Sequence, residues 1–211
     1  ASNQPLLEAL GKYFAEHDFS TGELIRIIAD SHVYQLSSLT NERNAADTRN
    51  YSRHYRHRLR AEVLLDAFAQ VSGVPQSFDA MPPGTTASGI WTHRTPSLFL
   101  DTFGRPDPNQ DPPCERTPDS TVVQSLHLMN AQALHGDLAK DGGTADQLAK
   151  SDKSPTEITN YVYRLVYSRN PTDAETATLT ELFSEENAGR RHVIEDIIWA
   201  MINSPEFVIQ D

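Results

Sequence analysis

The chain has 211 residues, a formal net charge of -11 and a hydrophobic fraction of 38%. Its length suits one domain, or one domain with a small helical appendage, and is sufficient for a hydrophobic core. The acidic balance argues against nucleic acid and anionic membrane surfaces as partners, and no apolar run approaches the roughly 20 residues of a membrane-spanning helix. A single cysteine excludes an internal disulfide and the Cys-x-x-Cys-His site that attaches haem covalently, so we expect no cofactor in this chain.

The first part of the chain predicts two helices. Residues 4–16 place three leucines and a phenylalanine at helical spacing. Ser20 and Glu23 have the spacing of a capping box, which predicts a second helix from Ser20 to about Tyr34. Residues 37–48 are polar and predict a loop.

A long third helix is predicted from Arg49 to Val71, ended by Gly73. Four arginines recur in it at i, i+4, i+7 and i+11, namely Arg49, Arg53, Arg56 and Arg60. The same helical phase continues into an apolar stripe, so we expect partly buried guanidinium groups that need anionic partners.

The segment from about residue 73 to 118 is rich in proline and predicts a long, ordered, irregular insertion. Its aromatic residues favour order. Ile90–Thr92 and Leu98–Leu100 are candidate short strands that would form at most one small hairpin.

The remaining chain predicts helices again. One runs from about Ser120 to Ala139, with a core face made of Val123, Leu126, Met129, Ala133 and Leu134. Capping boxes at Ser154 and Thr172 begin two more helices, and a last one covers about residues 188–202. The predicted fold is therefore mainly α, a multi-helix bundle. In it, a C-terminal three-helix unit (154–211) packs on a helical domain with the irregular insertion (1–153), and we expect the two to form one compact domain.

The candidate site residues surround the arginine stripe and a Gly-Arg-Pro turn. Gly104 can adopt a positive φ, and Pro106 restricts the residue before it, so the turn is predicted to be ordered. The residues that could bind an anion or a partner are Arg53, Arg56, Arg60, Asp101, Arg105, Glu115 and Arg116.

Two interpretations of these residues remain open. Arginine forks bind carboxylate, sulfate or phosphate, which suits a groove for an acidic glycan, and two neighbouring carboxylates such as Asp101 and Glu115 suit acid–base work on a glycosidic bond. The same residues also suit internal ion pairs that join the helices, which is the commoner use of buried arginine, and we favour it. Glu62 and Asp66 are further possible partners of the arginines.

No metal site is predicted. Only His54 and His57 among the eight histidines share a helical face, and a metal needs three or four ligands. Cys114 is more typical of a small buried hydrophobe than of a nucleophile. No Gly-x-Ser-x-Gly or phosphate-binding glycine loop is present. The absence of catalytic signatures leans against an enzyme without deciding the matter.

Several collinear segments resemble one family, the planctomycete-associated C-terminal domain known as domain of unknown function 1553. The segments are Leu24–Ile28, Tyr34–Ser38, Asn50–Arg53, Arg58–Asp66, Pro82–Gly84, Phe99–Pro106, Cys114–Arg116, Gln124–Asn130, Tyr163–Arg169 and Asn203–Phe207. The family pattern begins upstream of residue 1, so we expect this chain to be its C-terminal portion. Pro112 stands where many members carry the first thiol of Cys-x-Cys-Glu-Arg, which argues against a dithiol or metal role for that motif here.

The resemblance implies an extracytoplasmic protein of planctomycete type that lies beside a cytochrome c domain. It implies no catalytic residue. The function expected from it is a non-catalytic structural or interaction module, with the N-terminal portion of the family, or a haem-bearing cytochrome c domain or chain, as its partner. The alternative is an enzyme or binding protein for acidic or sulfated polysaccharides.

Overall fold

A computed structural model of the protein describes residues 3–92, 94–106, 122–130, 132–184 and 189–210. The predicted fold class, mainly α, is confirmed. The chain divides into two compact units, which we call the N-terminal unit (residues 1–56) and the C-terminal unit (residues 57–210). Within the described ranges, no helix is long and apolar enough to cross a membrane.

Two helices form the regular part of the N-terminal unit, α1 (Gln4–Glu16) and α2 (Thr21–Ala29). The hydroxyl of Ser20 accepts a hydrogen bond from the Glu23 backbone N–H at 3.3 Å, which is one half of the predicted capping box. The Glu23 carboxylate pairs with Arg26 at 2.6 Å. Sequence reasoning therefore located the start of α2 correctly.

Helix α2 ends earlier than the predicted end near Tyr34. The Ser31 hydroxyl donates to the Ile28 carbonyl at 2.7 Å and accepts from the Tyr34 N–H at 3.3 Å. A serine that bonds its neighbours' backbone in this way competes with helical hydrogen bonds. Turns and irregular structure follow as far as residue 56.

The predicted helix from Arg49 to Val71 is wrong over its first half. Helix α3 covers only Ala61–Ser72, and Arg60 before it is extended, with φ −62° and ψ 150°. Further upstream, Tyr51 has a φ of 53°, which no right-handed helix contains. The four arginines therefore do not form one helical face.

The C-terminal unit contains the other helices and both strands that the structure describes. They are β1 (His57–Arg58), α3, a 3-10 turn (Ala87–Gly89), α4 (Leu98–Thr102), α5 (Val122–Asn130), α6 (Gln132–Leu138), α7 (Thr144–Lys150), α8 (Pro155–Tyr167), α9 (Asp173–Leu182), α10 (Arg190–Ile202), α11 (Pro205–Val208) and β2 (Ile209–Gln210). Its core is built mainly from α3, α8 and α10, on which Leu64, Ile158 and Ile194 are completely buried. Helix α10 contacts α6, α7, α8 and α11, so it organises the core.

The capping boxes predicted at Ser154 and Thr172 are both present and begin α8 and α9. In each, the hydroxyl accepts from the backbone N–H three residues later while the glutamate there, Glu157 or Glu175, bonds back. The division of the chain at residues 153 and 154 stays a prediction. Helices α7 and α10 lie on opposite sides of that point and pack together within one unit.

The hairpin predicted between Ile90–Thr92 and Leu98–Leu100 is not formed. Leu98 begins α4, because the Ser97 hydroxyl caps the helix by accepting from the Leu100 N–H at 3.3 Å. The strand pairing in the described chain is instead β1 with β2, antiparallel, with His57 opposite Gln210.

Helices α5 and α6 lie in the stretch predicted as one helix, but the predicted core face of α5 is wrong. Leu128 and Gln124 are buried, whereas Val123, Leu126 and Met129 are exposed. The Gln124 side-chain amide donates to the Thr102 carbonyl at 3.1 Å, which allows this polar residue to face the core.

Candidate functional site

The predicted site residues do not form a single cluster in one unit. Arg53 and Arg56 belong to the N-terminal unit, whereas Arg60, Asp101 and Arg105 belong to the C-terminal unit. Glu115, Arg116 and also Cys114 lie outside the described residues. Whether these residues bind an anion or a partner stays a prediction.

Asp101 and Arg105 brace the Gly-Arg-Pro turn. Arg105 Nε donates to Asp101 Oδ1 at 2.6 Å, and Arg105 Nη1 donates to the Thr95 carbonyl at 2.5 Å. The Arg105 side chain is only 3% exposed, whereas that of Asp101 is 44% exposed. Gly104 has a φ of 78°, the positive value that the sequence suggested. The arginine thus fastens two backbone segments, and the partly exposed Asp101 carboxylate remains accessible to solvent.

Two other polar residues near the predicted stripe also brace the fold. Asp66 on α3 accepts hydrogen bonds from the backbone N–H groups of Ala87 and Ser88, at 2.6 and 3.0 Å, so it holds the 3-10 turn. Arg58 donates to the Phe103 carbonyl at 2.9 Å, and its guanidinium lies 5.6 Å from the centre of the Phe103 ring. Burial lowers the pKa of Arg58.

A small cavity of about 210 Å³ opens beside Arg58 and Phe103, with Leu128 and Ser204 among its lining residues. The ring of His127 lies edge-on to that of Phe103, with centroids 6.0 Å apart, and burial lowers the pKa of His127. The half-buried His127 therefore lies at the boundary of the core. In the described part of the chain, no three of the His, Cys, Asp and Glu side chains lie close enough to share a metal ion.

Sequence reasoning missed the role of Arg169, which joins the last two motif segments of the family resemblance. Arg169 contacts Glu175 through two hydrogen bonds of 2.8 and 3.0 Å and Glu206 through two of 2.6 and 3.0 Å. These hydrogen bonds raise the pKa of Arg169. Hydrogen bonding from Arg169 is also the main reason why the pKa of Glu175 falls to about 2. The guanidinium also lies 5.2 Å from the Tyr163 ring centre. Glu206 directly follows Pro205, and its position gave no sequence signal for this pairing.

Asp47 organises the turn that replaces the predicted start of the third helix. Its carboxylate accepts hydrogen bonds from the backbone N–H groups of Arg49 (3.0 Å), Asn50 (2.9 Å) and Ser52 (3.1 Å). The Ser52 hydroxyl donates to it as well. That hydroxyl is the main reason why the pKa of Asp47 lies well below its usual range, and the backbone bonds add to the effect.

Residues 43–56, which we call the basic loop, contain the arginines of the N-terminal unit that the stripe included. The guanidinium of Arg53 lies 5.1 Å from the centre of the Tyr55 ring, and its Nη1 donates to the His54 carbonyl. The Arg53 Nε atom is buried without a hydrogen-bond partner among the described residues. Arg56 Nε donates to the hydroxyl of the buried Ser38 at 3.2 Å.

The N-terminal unit also exposes many large apolar side chains. Neither α1 nor α2 contains a buried residue. The exposed apolar residues of these helices and of the turns beside them are Leu6, Leu7, Phe19, Ile25, Ile27, Ile28, Val33 and Tyr34. We call this set the N-terminal apolar surface. Apolar exposure on this scale typically marks an interaction site.

The fold and these two surfaces define a mainly α protein in which a well-packed helical unit accompanies a unit with little core of its own. Residues 1–183 match the model of the family PSD1, described as protein of unknown function (DUF1553), and the chain belongs to that family. A search of curated proteins found no match, and neither did a search of solved structures.

Proposed function

We propose that this chain is a non-catalytic interaction module that docks on an apolar protein surface through its N-terminal unit. The observation that carries the proposal is the N-terminal apolar surface. Helices need tertiary packing of their apolar face for most of their stability, and α1 and α2 bury no residue. A protein partner would supply the packing that these helices lack.

The partner that we propose is the N-terminal portion of the same family, and the second choice is a cytochrome c domain or chain, which would carry haem. The family membership, together with the resemblance of the motif segments, supports a setting in an extracytoplasmic protein of planctomycete type. Fusion of the full-length gene to a reporter enzyme that is active only after export would test that location.

The docking test compares two substitutions on the apolar surface with one elsewhere. Leu7 and Ile25 are 56% and 66% exposed, and Leu98, in the C-terminal unit, is 74% exposed. We expect Leu7→Glu with Ile25→Glu to weaken binding of the purified family N-terminal portion at least tenfold, because a buried, unpaired carboxylate opposes association. Leu98→Glu should leave the affinity unchanged.

Sedimentation velocity of the purified chains would measure these affinities. The proposal fails if the wild-type chain stays monomeric with both partners and the amides of α1 and α2 gain no protection from hydrogen exchange. It also fails if Leu98→Glu weakens binding as much as the changes at Leu7 and Ile25.

A second function, binding of acidic or sulfated polysaccharides, is favoured by a different observation. The basic loop carries Arg43 and Arg49 with exposed side chains in a chain that is acidic overall. Arginine binds sulfate and carboxylate groups in a bidentate manner. Retention on a dextran sulfate column, compared with an unsulfated dextran column at the same ionic strength, would test this function. Equal elution from the two columns would contradict it.

A further inference from the structure

The basic loop concentrates positive charge in an acidic chain. Its 14 residues include four of the 18 lysines and arginines but only one of the 29 acidic residues, Asp47. Because the Asp47 carboxylate is occupied by hydrogen bonds within the turn, it does not pair with the arginine side chains. The loop therefore presents a net positive surface, which favours an anionic ligand.

Side-chain hydrogen bonds hold the loop in one conformation. Asn41 Oδ1 accepts from the backbone N–H groups of Arg43 (2.9 Å) and Asn44 (3.1 Å). The Asn44 amide donates to the Ser52 carbonyl at 3.4 Å, which connects this turn to the one organised by Asp47. A loop that is ordered before binding loses less conformational entropy when a ligand binds.

Tyr51 lies at the tip of the Asp47 turn with an exposed ring. Its side chain remains 61% exposed, and its φ of 53° is unusual for a residue with a large side chain. The Tyr55 hydroxyl accepts a hydrogen bond from the Tyr51 N–H at 3.0 Å, and the two ring centroids are 5.5 Å apart. The turn thus supports an aromatic face that is open to a ligand.

Arg43 and Arg49 both precede Tyr51 in the sequence and lie in the two connected turns. Both are exposed, and in the described residues neither guanidinium has a hydrogen bond or an ion pair within the chain. Each is therefore available for a bidentate contact with a sulfate or a carboxylate. A ring contact at Tyr51 together with two anion contacts in the same loop suits a flat, polar ligand that carries several anions.

We propose that the basic loop is a binding site for an acidic polysaccharide, in which Tyr51 stacks on a sugar ring while Arg43 and Arg49 bind its sulfate or carboxylate groups. This inference rests on the second of the two proposed functions and locates it on named residues. The loop has neither a strand edge nor a helical groove for a peptide. This argues against a peptide ligand, and the experiment tests that conclusion by including an acidic polypeptide as a competing ligand.

The experiment measures binding of the full chain to four probes by isothermal titration calorimetry: dextran sulfate, polygalacturonate, unmodified dextran and poly-glutamate. Three variants accompany the wild type. They are Arg43→Gln with Arg49→Gln, Tyr51→Gly, and the charge-matched control Lys140→Gln with Arg164→Gln, whose residues are exposed and lie in the C-terminal unit. Glycine at position 51 removes the ring and accepts the positive φ.

We expect both acidic polysaccharides to bind and unmodified dextran not to bind. The change at Arg43 and Arg49 should weaken binding at least tenfold and reduce its dependence on salt. The change at Tyr51 should weaken binding about threefold to tenfold with the salt dependence kept, since stacking carries no charge. The control should remain within about twofold of the wild type.

Three outcomes would overturn the proposal: equal loss of binding in the control, no loss in the Arg43 and Arg49 variant, or tighter binding of poly-glutamate than of either polysaccharide. If the chain is retained on dextran sulfate but gives any of these results, it binds acidic polysaccharides at a site other than the basic loop. The docking function is tested separately, because Leu7→Glu with Ile25→Glu should leave polysaccharide binding unchanged. Circular dichroism of each variant would establish that it folds.

Discussion

In the C-terminal unit α10 alone buries Val193, Ile194, Ile197, Ile198, Met201 and Ile202, whereas α1 and α2 of the N-terminal unit bury none of their residues. The helices of both units have well-formed N-termini, capped by Asn3 and Ser20 in one and by Ser154 and Thr172 in the other. Capping therefore does not distinguish the two units. The difference lies in the packing that follows, and it teaches that local signals can begin a helix without providing a core for it.

The largest expected effect tests this contrast directly. Ile194 is fully buried and Ile25 is 66% exposed. We expect Ile194→Ala to lower the free energy of unfolding of the C-terminal unit by about 2–5 kcal/mol, because it leaves a cavity. Ile25→Ala should change the measured free energy of unfolding by less than about 0.5 kcal/mol. Urea denaturation followed by tryptophan fluorescence measures both, and similar losses from the two changes would contradict the contrast.

The next effect concerns the proline-rich insertion of the C-terminal unit. Arg105→Met should cost about 1–3 kcal/mol, since it leaves the carbonyl of the buried Thr95 without its donor. Asp101→Asn should cost less than about 1 kcal/mol, because the partly exposed side chain keeps an oxygen that can accept from Arg105. The two urea midpoints give the comparison. An equal loss would mean that the ion pair, and not the carbonyl contact, holds the segment.

Acid should weaken the C-terminal unit through Glu175. Its pKa in the folded chain is about 2, against an ordinary value of 4.5, mainly because Arg169 donates hydrogen bonds to it. The unfolded chain binds the proton first as the pH falls, so this stabilisation is complete above about pH 4.5 and is lost progressively toward pH 2. We expect Glu175→Gln to make the urea midpoint less dependent on pH over that range. Glu181→Gln, on the exposed side of the same helix, should leave the pH dependence of the midpoint unchanged. A wild-type midpoint that does not vary between pH 4.5 and pH 2 would contradict the role assigned to Glu175.

The smallest effect compares two non-glycine residues with a positive φ, one in each unit. Ser168 ends α8 with a φ of 57°, and Tyr51 has a φ of 53°. We expect Ser168→Gly to raise the free energy of unfolding of the C-terminal unit by about 0.5–1 kcal/mol, because glycine adopts this conformation without strain. Tyr51→Gly should leave that value unchanged. Thermal unfolding curves with a precision of about 1 °C would detect the difference, and a shift with Tyr51→Gly would show that the two units unfold together.

The parts of the fold that depend on neighbouring residues could be predicted from the sequence. The capping boxes at Ser154 and Thr172 and the positive φ at Gly104 were predicted correctly, because each follows from residues within one turn. The mainly α class follows from the same signals. These features need no knowledge of the rest of the chain.

The long helix through Arg49, Arg53, Arg56 and Arg60 was predicted wrongly because helical spacing alone ignores competing turns and distant partners. Asp47 lies before the stripe, and nothing in the spacing of the arginines indicates that its carboxylate bonds the next backbone N–H groups. The other cause is the pairing of His57–Arg58 with Ile209–Gln210, far along the chain. Such contacts are set by tertiary structure, which overrides local propensity.

The candidate sites show the same limit. The importance of Arg53 and Arg56 was inferred from their place in a predicted helix. In the structure Arg53 is half-buried and Arg56 donates a hydrogen bond to Ser38. The ligand-binding side chains that we propose are instead the exposed Arg43, Arg49 and Tyr51. A signal was present in the sequence, since Asp47, Asn50 and Ser52 are residues that favour side-chain turns. The N-terminal apolar surface could not be foreseen, because an amphipathic pattern does not reveal whether its apolar face is covered.

The antiparallel pairing of β1 with β2 has a practical consequence for engineering. It brings His57 opposite Gln210, so the first and last residues of the C-terminal unit are neighbours across a strand pair. A short glycine linker could close that gap, and new termini could be opened in the polar turn between α7 and α8. A circularly permuted C-terminal unit of this kind should fold with its native helices, and it could be inserted as a cassette into a surface loop of a host protein.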